Sequence, residues 1–386
     1  MRNPKRRDPA LLTWARCSAL AALAACATGS EATGMADPAA APSGRPQDPG
    51  TPGPADVGAT PQATSTPPSP TLAATAVTTP TAVPPSERDP AIARAVAGIT
   101  RGTFERDLRA VARPRDDSLA PTGLRQVADA LERELRRAGY RVARQAVHHD
   151  GHVADNVIGE RAGSDPTRVV VVGAHYDAVP GSPGADDDAS GVAAMLAVAR
   201  AAAGFSTRAS IRIVAFAFEE DGLVGSLAYV ESLPPAERSR IVAMVDLEML
   251  GYRDARPFSQ RYPQGIELIV PGRELPTAGD FIVALGLEGE AVLEALARAR
   301  AYVPGLRAET IAVPRLALLA VPDLLRSDHA PFWAAGIPAI VIADTAELRN
   351  PHYHQPTDTV GTLDLDFATE VARWAAAGTL ELAGTN

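Results

Sequence analysis

The chain has 386 residues, 46% of them hydrophobic, with 37 basic against 46 acidic side chains and a formal net charge of −9. That length is room for one large domain or two modest ones, and the surplus of negative charge argues against nucleic acid as a partner. The only cysteines, Cys17 and Cys26, stand near the start, so a domain further along has neither a disulfide nor a cysteine ligand to hold it together.

The first residues carry a basic head of Arg2, Lys5, Arg6 and Arg7, followed by an apolar stretch from Cys17 to Ala25 that is too short to span a bilayer. This predicts a signal peptide over residues 1–25. The stretch ends in Leu23-Ala24-Ala25-Cys26, which resembles the bacterial lipobox, so Cys26 is expected to carry lipid and to begin the mature chain. An ordinary signal peptide with an incidental cysteine is the alternative. Removing residues 1–25 takes away five basic groups and one acid and moves the formal charge from −9 to −13. From Ala27 to about Ser86 the chain is rich in Pro, Ala, Thr, Ser and Gly. Such a stretch cannot bury enough surface to offset its ordering entropy, so residues 26–88 read as a lipidated N-terminus and a disordered linker.

A globular domain is expected over residues 89–386. Leu124, Val127, Leu131 and Leu135 recur at helical spacing, and Gly139 closes that helix. Arg141–Val147 and Val153–Ile158 read as strands. Arg168–Gly173 is nearly all valine, the composition of a strand buried on both faces. A helix over Ala189–Ala203, strands over Ile211–Phe218 and Ile241–Leu247, a helix over Glu290–Tyr302, a strand over Ala339–Ala343 and a helix over Asp366–Leu382 complete the pattern. Strands alternating with helices predict a three-layer α/β sandwich around a mostly parallel, mixed central sheet.

The chemistry-bearing residues fall at strand ends, where such folds collect their sites. His175 follows the valine strand, and Asp177 is placed to orient its imidazole from behind. Asp186-Asp187-Asp188 lies between Gly184 and Gly191. Three adjoining carboxylates repel one another and imply a cation, and one of them would bridge two ions. Glu219 and Glu220 end the strand from Ile211; one would bind metal and the other would accept a proton. Glu248 and Asp246, on one face of the strand from Ile241, compete as a further ligand, and Glu248 is nearer the end. Imidazole with carboxylate favours zinc over calcium. His354 comes late, past the strand ending at Ala343. Asp328 is read as a helix cap, His329 as structural or as a support behind the site, His352 as part of a loop, and His148, His149 and His152 as surface.

These motifs together resemble the secreted bacterial two-zinc aminopeptidase family, whose relatives include glutaminyl cyclases, glutamate carboxypeptidases and the transferrin receptor ectodomain. The resemblance covers most of Val153–Val360. It rests on Asn156-Val157-Ile158-Gly159, Ala174-His175-Tyr176-Asp177, Gly184–Gly191, Phe218-Glu219-Glu220, Glu248-Met249-Leu250-Gly251, Ser327-Asp328-His329 with Phe332, and Tyr353-His354-Gln355-Pro356-Thr357-Asp358-Thr359. It implies a zinc-exopeptidase-like fold with two zinc ions. His175 and Glu220 would bind different zincs, Asp187 would bridge them, and Glu248 and His354 would complete the set, with Glu248 replacing the aspartate commonest in the family. Glu219 would be the general base, and Tyr353 would stabilise the developing oxyanion.

The implied function is hydrolysis of N-terminal residues from peptides by an exported cell-envelope lipoprotein, periplasmic or at the cell surface, and held to the membrane through its N-terminal lipid. If Cys26 is not lipidated, the protein is secreted and soluble. A single-zinc glutaminyl cyclase-like acyltransferase and a non-catalytic binding module on the same fold are the competing readings. Segments 252–285 and 303–326 are expected to line a specificity pocket. Nothing in the sequence sets the oligomeric state.

Overall fold

The structure is a computed structural model that describes residues 88–384. The expected signal peptide, Cys26 and, apart from Arg88, the linker lie outside the described residues. Three helices come first: α1 (Pro90–Ala97), α2 (Arg101–Val111) and α3 (Pro121–Arg137). A hairpin follows, β1 (Arg141–His149) and β2 (His152–Arg161). Then come β3 (Asp165–His175), α4 (Ala189–Ala203), β4 (Ala209–Phe216), α5 (Val224–Ser232) and β5 (Ile241–Glu248). The last part holds β6 (Ile282–Leu287), α6 (Ala291–Ala299), β7 (Ala308–Val313), α7 (His329–Ala334), β8 (Ala339–Ala343) and α8 (Leu365–Ala383). Helices of a single turn are left unnumbered.

The eight strands form one sheet in the order β1-β2-β4-β3-β5-β8-β6-β7. β4, β3, β5 and β8 run parallel through the centre, and β6 and β7 are parallel to each other. β1–β2, β2–β4 and β6–β8 are antiparallel. The sheet is therefore mixed and mostly parallel, as the alternation of elements predicts.

Side chains of a strand alternate between faces, and β3 divides accordingly. Val170 and Val172 enter the larger core, under α3, α4, α6 and α8, while Val169 and Val171 enter the smaller one, under α5 and α7. Complete burial on both sides is why the strand is a run of valines. Phe216, Tyr229 and Phe332 meet in the smaller core with ring centroids 5.9–6.3 Å apart. α4 is made mostly of small residues, chiefly Ala, and is buried on nearly every side, because it lies between the sheet and α8. Gly191 permits this close approach: a Cβ there would stand 2.2 Å from the Leu247 carbonyl.

The sequence misses α1, α2, α5, β6 and β7. β6 and β7 fall inside or beside segments assigned to a pocket, yet they extend the sheet past β8. Their runs are short and alternate weakly, so they carry little periodic signal. β4 also stops two residues before the expected Phe218, which has φ +58° and leaves the strand.

Candidate metal centre

The parallel strands β3, β4, β5 and β8 end on one edge, and their following turns build the site. His175 is the last residue of β3 and is 1% exposed. Phe218, just past β4, turns the chain through a left-handed conformation and presents Glu219 and Glu220 in succession. Glu248 is the last residue of β5, and Met249 after it has φ +50°. His354 itself has φ +58°. Non-glycine residues in this region cost roughly 1–3 kcal/mol each, and such strain collects where a surrounding structure imposes it.

The acidic run enters between β3 and α4, and the Asp187–Asp188 peptide bond is cis. Each acid has its own surroundings. Asp186 is fully buried and accepts hydrogen bonds from the Gly251 amide at 2.8 Å and Asn350 Nδ2 at 2.7 Å. Asp188 caps α4 through the Gly191 amide at 2.9 Å and also accepts the Met249 amide at 3.0 Å. Asp187 turns the other way, into the site. One of its oxygens lies 3.2 Å from His175 Nε2 and the other 3.1 Å from His354 Nε2.

Around each imidazole stands a further carboxylate. Glu248 Oε2 is 3.6 Å from His175 Nε2, and Glu220 Oε2 is 3.1 Å from His354 Nε2. Glu219 Oε2 is 4.0 Å from His175 Nε2. Asp246, the rival on β5, is occupied elsewhere: it accepts hydrogen bonds from Ser327 Oγ at 2.8 Å and the His329 amide at 2.9 Å. The expected residues His175, Asp187, Glu219, Glu220, Glu248, Tyr353 and His354 thus meet in one place.

Asp177 contacts more than the sequence suggests. Its Oδ1 is 3.5 Å from His175 Nδ1, but its hydrogen bonds, both 3.2 Å, go to the amides of Glu219 and Glu220. It therefore holds the β4 turn against the β3 turn. Tyr353 stacks on His354 with centroids 3.7 Å apart, and its hydroxyl accepts a hydrogen bond from Arg326 at 3.0 Å. Asp328 stands at the start of α7, but its side chain makes no capping bond. It is fully buried beside the site, with neither oxygen in a hydrogen bond of good geometry. His329 is buried with its ring edge-on to Trp333 and its Nδ1 3.1 Å from Asp246.

The donor set fits divalent metal. Buried polar atoms are normally hydrogen-bonded, yet both ring nitrogens of His175, Asp187 Oδ2, Asp188 Oδ2 and Glu220 Oε1 are not. They approach one another without hydrogen-bond alignment, as atoms aimed at a common centre do. Two groups of three ligand atoms converge within 4.8 Å, one from His175, Asp188 and Glu248, the other from Asp187, Glu220 and His354. Asp187 is counted once there but touches both groups, since its two oxygens face different imidazoles. Asp188, with one oxygen spent on backbone amides, is a neighbour of the first group that the sequence did not single out.

The electrostatics agree. Burial raises the Glu219 carboxyl well above its usual value, and the neighbouring Glu248 and Glu220 add to the rise against the pull of His175. Burial and Asp187 push Glu220 up to about 7. Burial also raises Glu248. It opposes the charge on His354, but Asp187 and Glu220 outweigh it and push that imidazole up to about 10. Burial likewise works against Asp187, but contacts with the two histidines hold it below the usual carboxylate range. A set that clings to protons in this way holds positive charge where a divalent cation would otherwise supply it.

Imidazoles paired across a shared carboxylate, on the carboxyl edge of a mixed α/β sheet, are the equipment of a metal-dependent hydrolase. The model of Peptidase family M28 matches residues 156–379, and the chain belongs to that family. It is accordingly a zinc-dependent exopeptidase by class. The chain is 32% identical over 259 residues to the uncharacterised protein YfbL of Escherichia coli K12, covering 64% of this chain and 77% of that one. It is 32% identical over 222 residues to the probable lipoprotein aminopeptidase LpqL of Mycobacterium tuberculosis, covering 55% of this chain and 42% of LpqL. The chain thus spans less than half of that relative's length. Among solved structures, the LapA aminopeptidase of Legionella pneumophila superposes with a TM-score of 0.60 at 20% identity, over 76% of this chain and 74% of LapA. That likeness is one of fold.

Proposed function

We propose that the chain is a two-zinc aminopeptidase that removes N-terminal residues from peptides. One observation carries this reading: the two oxygens of Asp187 face two different histidines, 3.2 Å from His175 and 3.1 Å from His354. A carboxylate so placed could bridge two ions. His175, Glu248 and one oxygen of Asp187 would hold the first, and Glu220, His354 and the other oxygen would hold the second. Zinc held there would supply Lewis-acid polarisation of the scissile carbonyl and a water acidic enough to lose a proton near neutral pH.

The chain's own groups do the rest. Glu219 has no backbone or side-chain donor fixing its carboxylate among the described hydrogen bonds, and burial makes it a stronger base than a surface glutamate. It takes a proton from the attacking water and gives it to the leaving amine as the C–N bond breaks. Tyr353 accepts from Arg326, a group that can only donate, so its own hydroxyl proton is available to the oxyanion that forms on the carbonyl. Asp177 fixes the Glu219–Glu220 turn, so base and ligand keep one spacing.

We also propose that residues 1–25 are a signal peptide, that Cys26 carries a lipid anchor and that residues 89–386 form the catalytic domain. The basic head and the Leu23-Ala24-Ala25-Cys26 sequence support export and anchoring, and the name of LpqL is in keeping with them. Among the described residues no helix is long and apolar enough to cross a membrane. The test of function is a panel of free and N-blocked aminoacyl peptides, assayed with and without a chelator. Cleavage of free peptides alone, lost with chelator and restored by zinc, is the expected result. Equal cleavage of blocked peptides, or activity indifferent to chelator, contradicts the reading.

A further inference from the structure

Arg115 lies outside the span matched by the family and outside every motif read from the sequence. It sits in the connection between α2 and α3 and is 0% exposed. Each of its five N–H donors has a backbone carbonyl. Nε donates to Tyr176 at 2.8 Å, one terminal nitrogen to Arg113 at 3.2 Å and Pro183 at 2.6 Å, and the other to Gly184 at 2.9 Å and Asp187 at 3.3 Å. Four of those carbonyls belong to the chain just past His175 and to the turn that delivers Asp187. A planar guanidinium alone among side chains can fill such a set.

The same turn is gripped from the opposite side. The Asp358 carboxylate accepts the Asp186 amide at 2.9 Å and the Asp187 amide at 3.2 Å, and the Asp358 carbonyl accepts the Ala185 amide at 3.3 Å. The carbonyls are thus held by a buried guanidinium and the amides by a buried carboxyl group. Gly184 lets the two grips close. It has φ +55°, and a Cβ there would lie 2.9 Å from the Arg115 guanidinium and 2.2 Å from the Asp187 carbonyl. The turn just after Arg115 is tied by Asp116, whose Oδ1 accepts the Ser118 amide at 3.0 Å and the Ser118 hydroxyl at 2.9 Å.

We propose that Arg115 is a positioning residue that presets the metal cradle before any ion arrives. It joins the backbone behind His175 to the backbone of Asp187, so that the bridging carboxylate already stands between the two imidazoles. It also places a fixed positive charge beneath Asp177, Asp187 and Asp188, where like charges would otherwise drive the turn apart. The inference rests on the metal reading of the cradle given above.

The test is zinc affinity of the metal-stripped full chain, measured by competition with a chromophoric chelator. Arg115→Ala is expected to weaken zinc binding by about 10–100-fold, the range seen when a partner behind a ligand is lost. Arg115→Lys keeps the charge but has three donors for five carbonyls, and it is expected to weaken binding as well. A purely structural role would lower the melting temperature and leave the affinity of the folded fraction unchanged. Folded variants that bind zinc like the wild type overturn the proposal.

Should neither variant fold, hydrogen exchange of the wild type decides. Amides of residues 184–191 protected to the same degree with and without zinc support a preset turn. Free exchange in the metal-free protein overturns it. A wild type that binds no zinc at all sinks the metal reading itself, and the role of Arg115 with it; a wild type that binds zinc with variants that match it sinks only the role of Arg115.

Discussion

The two halves of the candidate centre are built differently. The His175 half stands on strand ends: His175 closes β3, Glu248 closes β5, and the histidine is 1% exposed. The His354 half stands on turns: Glu220 follows the left-handed Phe218, and His354, on a loop, is 35% exposed. One half is placed by the sheet and the other by connections that the sheet supports. An inner ion would be shielded and slow to leave, and an outer one would exchange readily and meet substrate first. Asp187 is the member common to both.

The largest effect is expected from that shared residue. Asp187→Asn removes the bridging charge and should empty both halves, lowering kcat/KM by roughly 10³-fold or more, since several kcal/mol of Lewis-acid stabilisation go with the ions. Metal analysis of the purified variant checks it; two zincs retained would break the comparison at its centre. Glu219→Gln should come next, lowering kcat by roughly 10²–10⁴-fold with zinc content unchanged, as expected for loss of a general base alone. Steady-state kinetics alongside metal analysis separates this from loss of a ligand.

Tyr353→Phe should cost about 10²–10³-fold in kcat, the usual cost of one oxyanion donor, with little change in KM. His354→Ala and His175→Ala sharpen the difference between the halves. The first should release the exchangeable zinc and leave the inner one, whereas the second should also disturb folding, because a fully packed strand end loses its last side chain. Zinc content after mild dialysis, with melting curves, distinguishes them.

The smallest effect is on stability. Burial pushes Glu220 and Asp358 up to about 7 and Asp344 up to about 6, well above the usual carboxylate range. A carboxyl raised in the folded state contributes stability that is present below its unfolded value and lost as pH rises through the folded one. The metal-free chain should therefore melt lower as pH rises from about 4 to 7, with roughly 2–4 °C for each kcal/mol. Zinc should stabilise more across the same window, since its ligands must give up protons. Melting curves with and without chelator read both trends.

Both halves are legible in the sequence, the strand-built one through its apolar runs and His354 only through the motif around it. A valine run buried on both faces has no other easy reading, and it leads straight to His175. Glu219 and Glu220 are visible for the same reason, at the end of an apolar strand. What escaped notice depends on long-range packing. Asp328 looks like a cap next to Pro331-Phe332-Trp333, and only the packed structure shows its carboxyl buried at the site instead. Arg115 reads as one more charge in Pro114-Arg115-Asp116-Asp117, a surface turn by composition. β7 escaped because Ala308–Val313 mixes polar and apolar residues at the sheet's far edge, and β6, though apolar throughout, escaped because its start was assigned to a pocket segment.

The central claim is that Asp187 stands between two ions. A crystal structure of the zinc-loaded chain with anomalous scattering at the zinc edge tests it most directly. Two peaks about 3.5–4 Å apart are predicted, one beside His175 and Glu248, one beside Glu220 and His354, with Asp187 touching both. A single peak, or two peaks that Asp187 does not join, would contradict it.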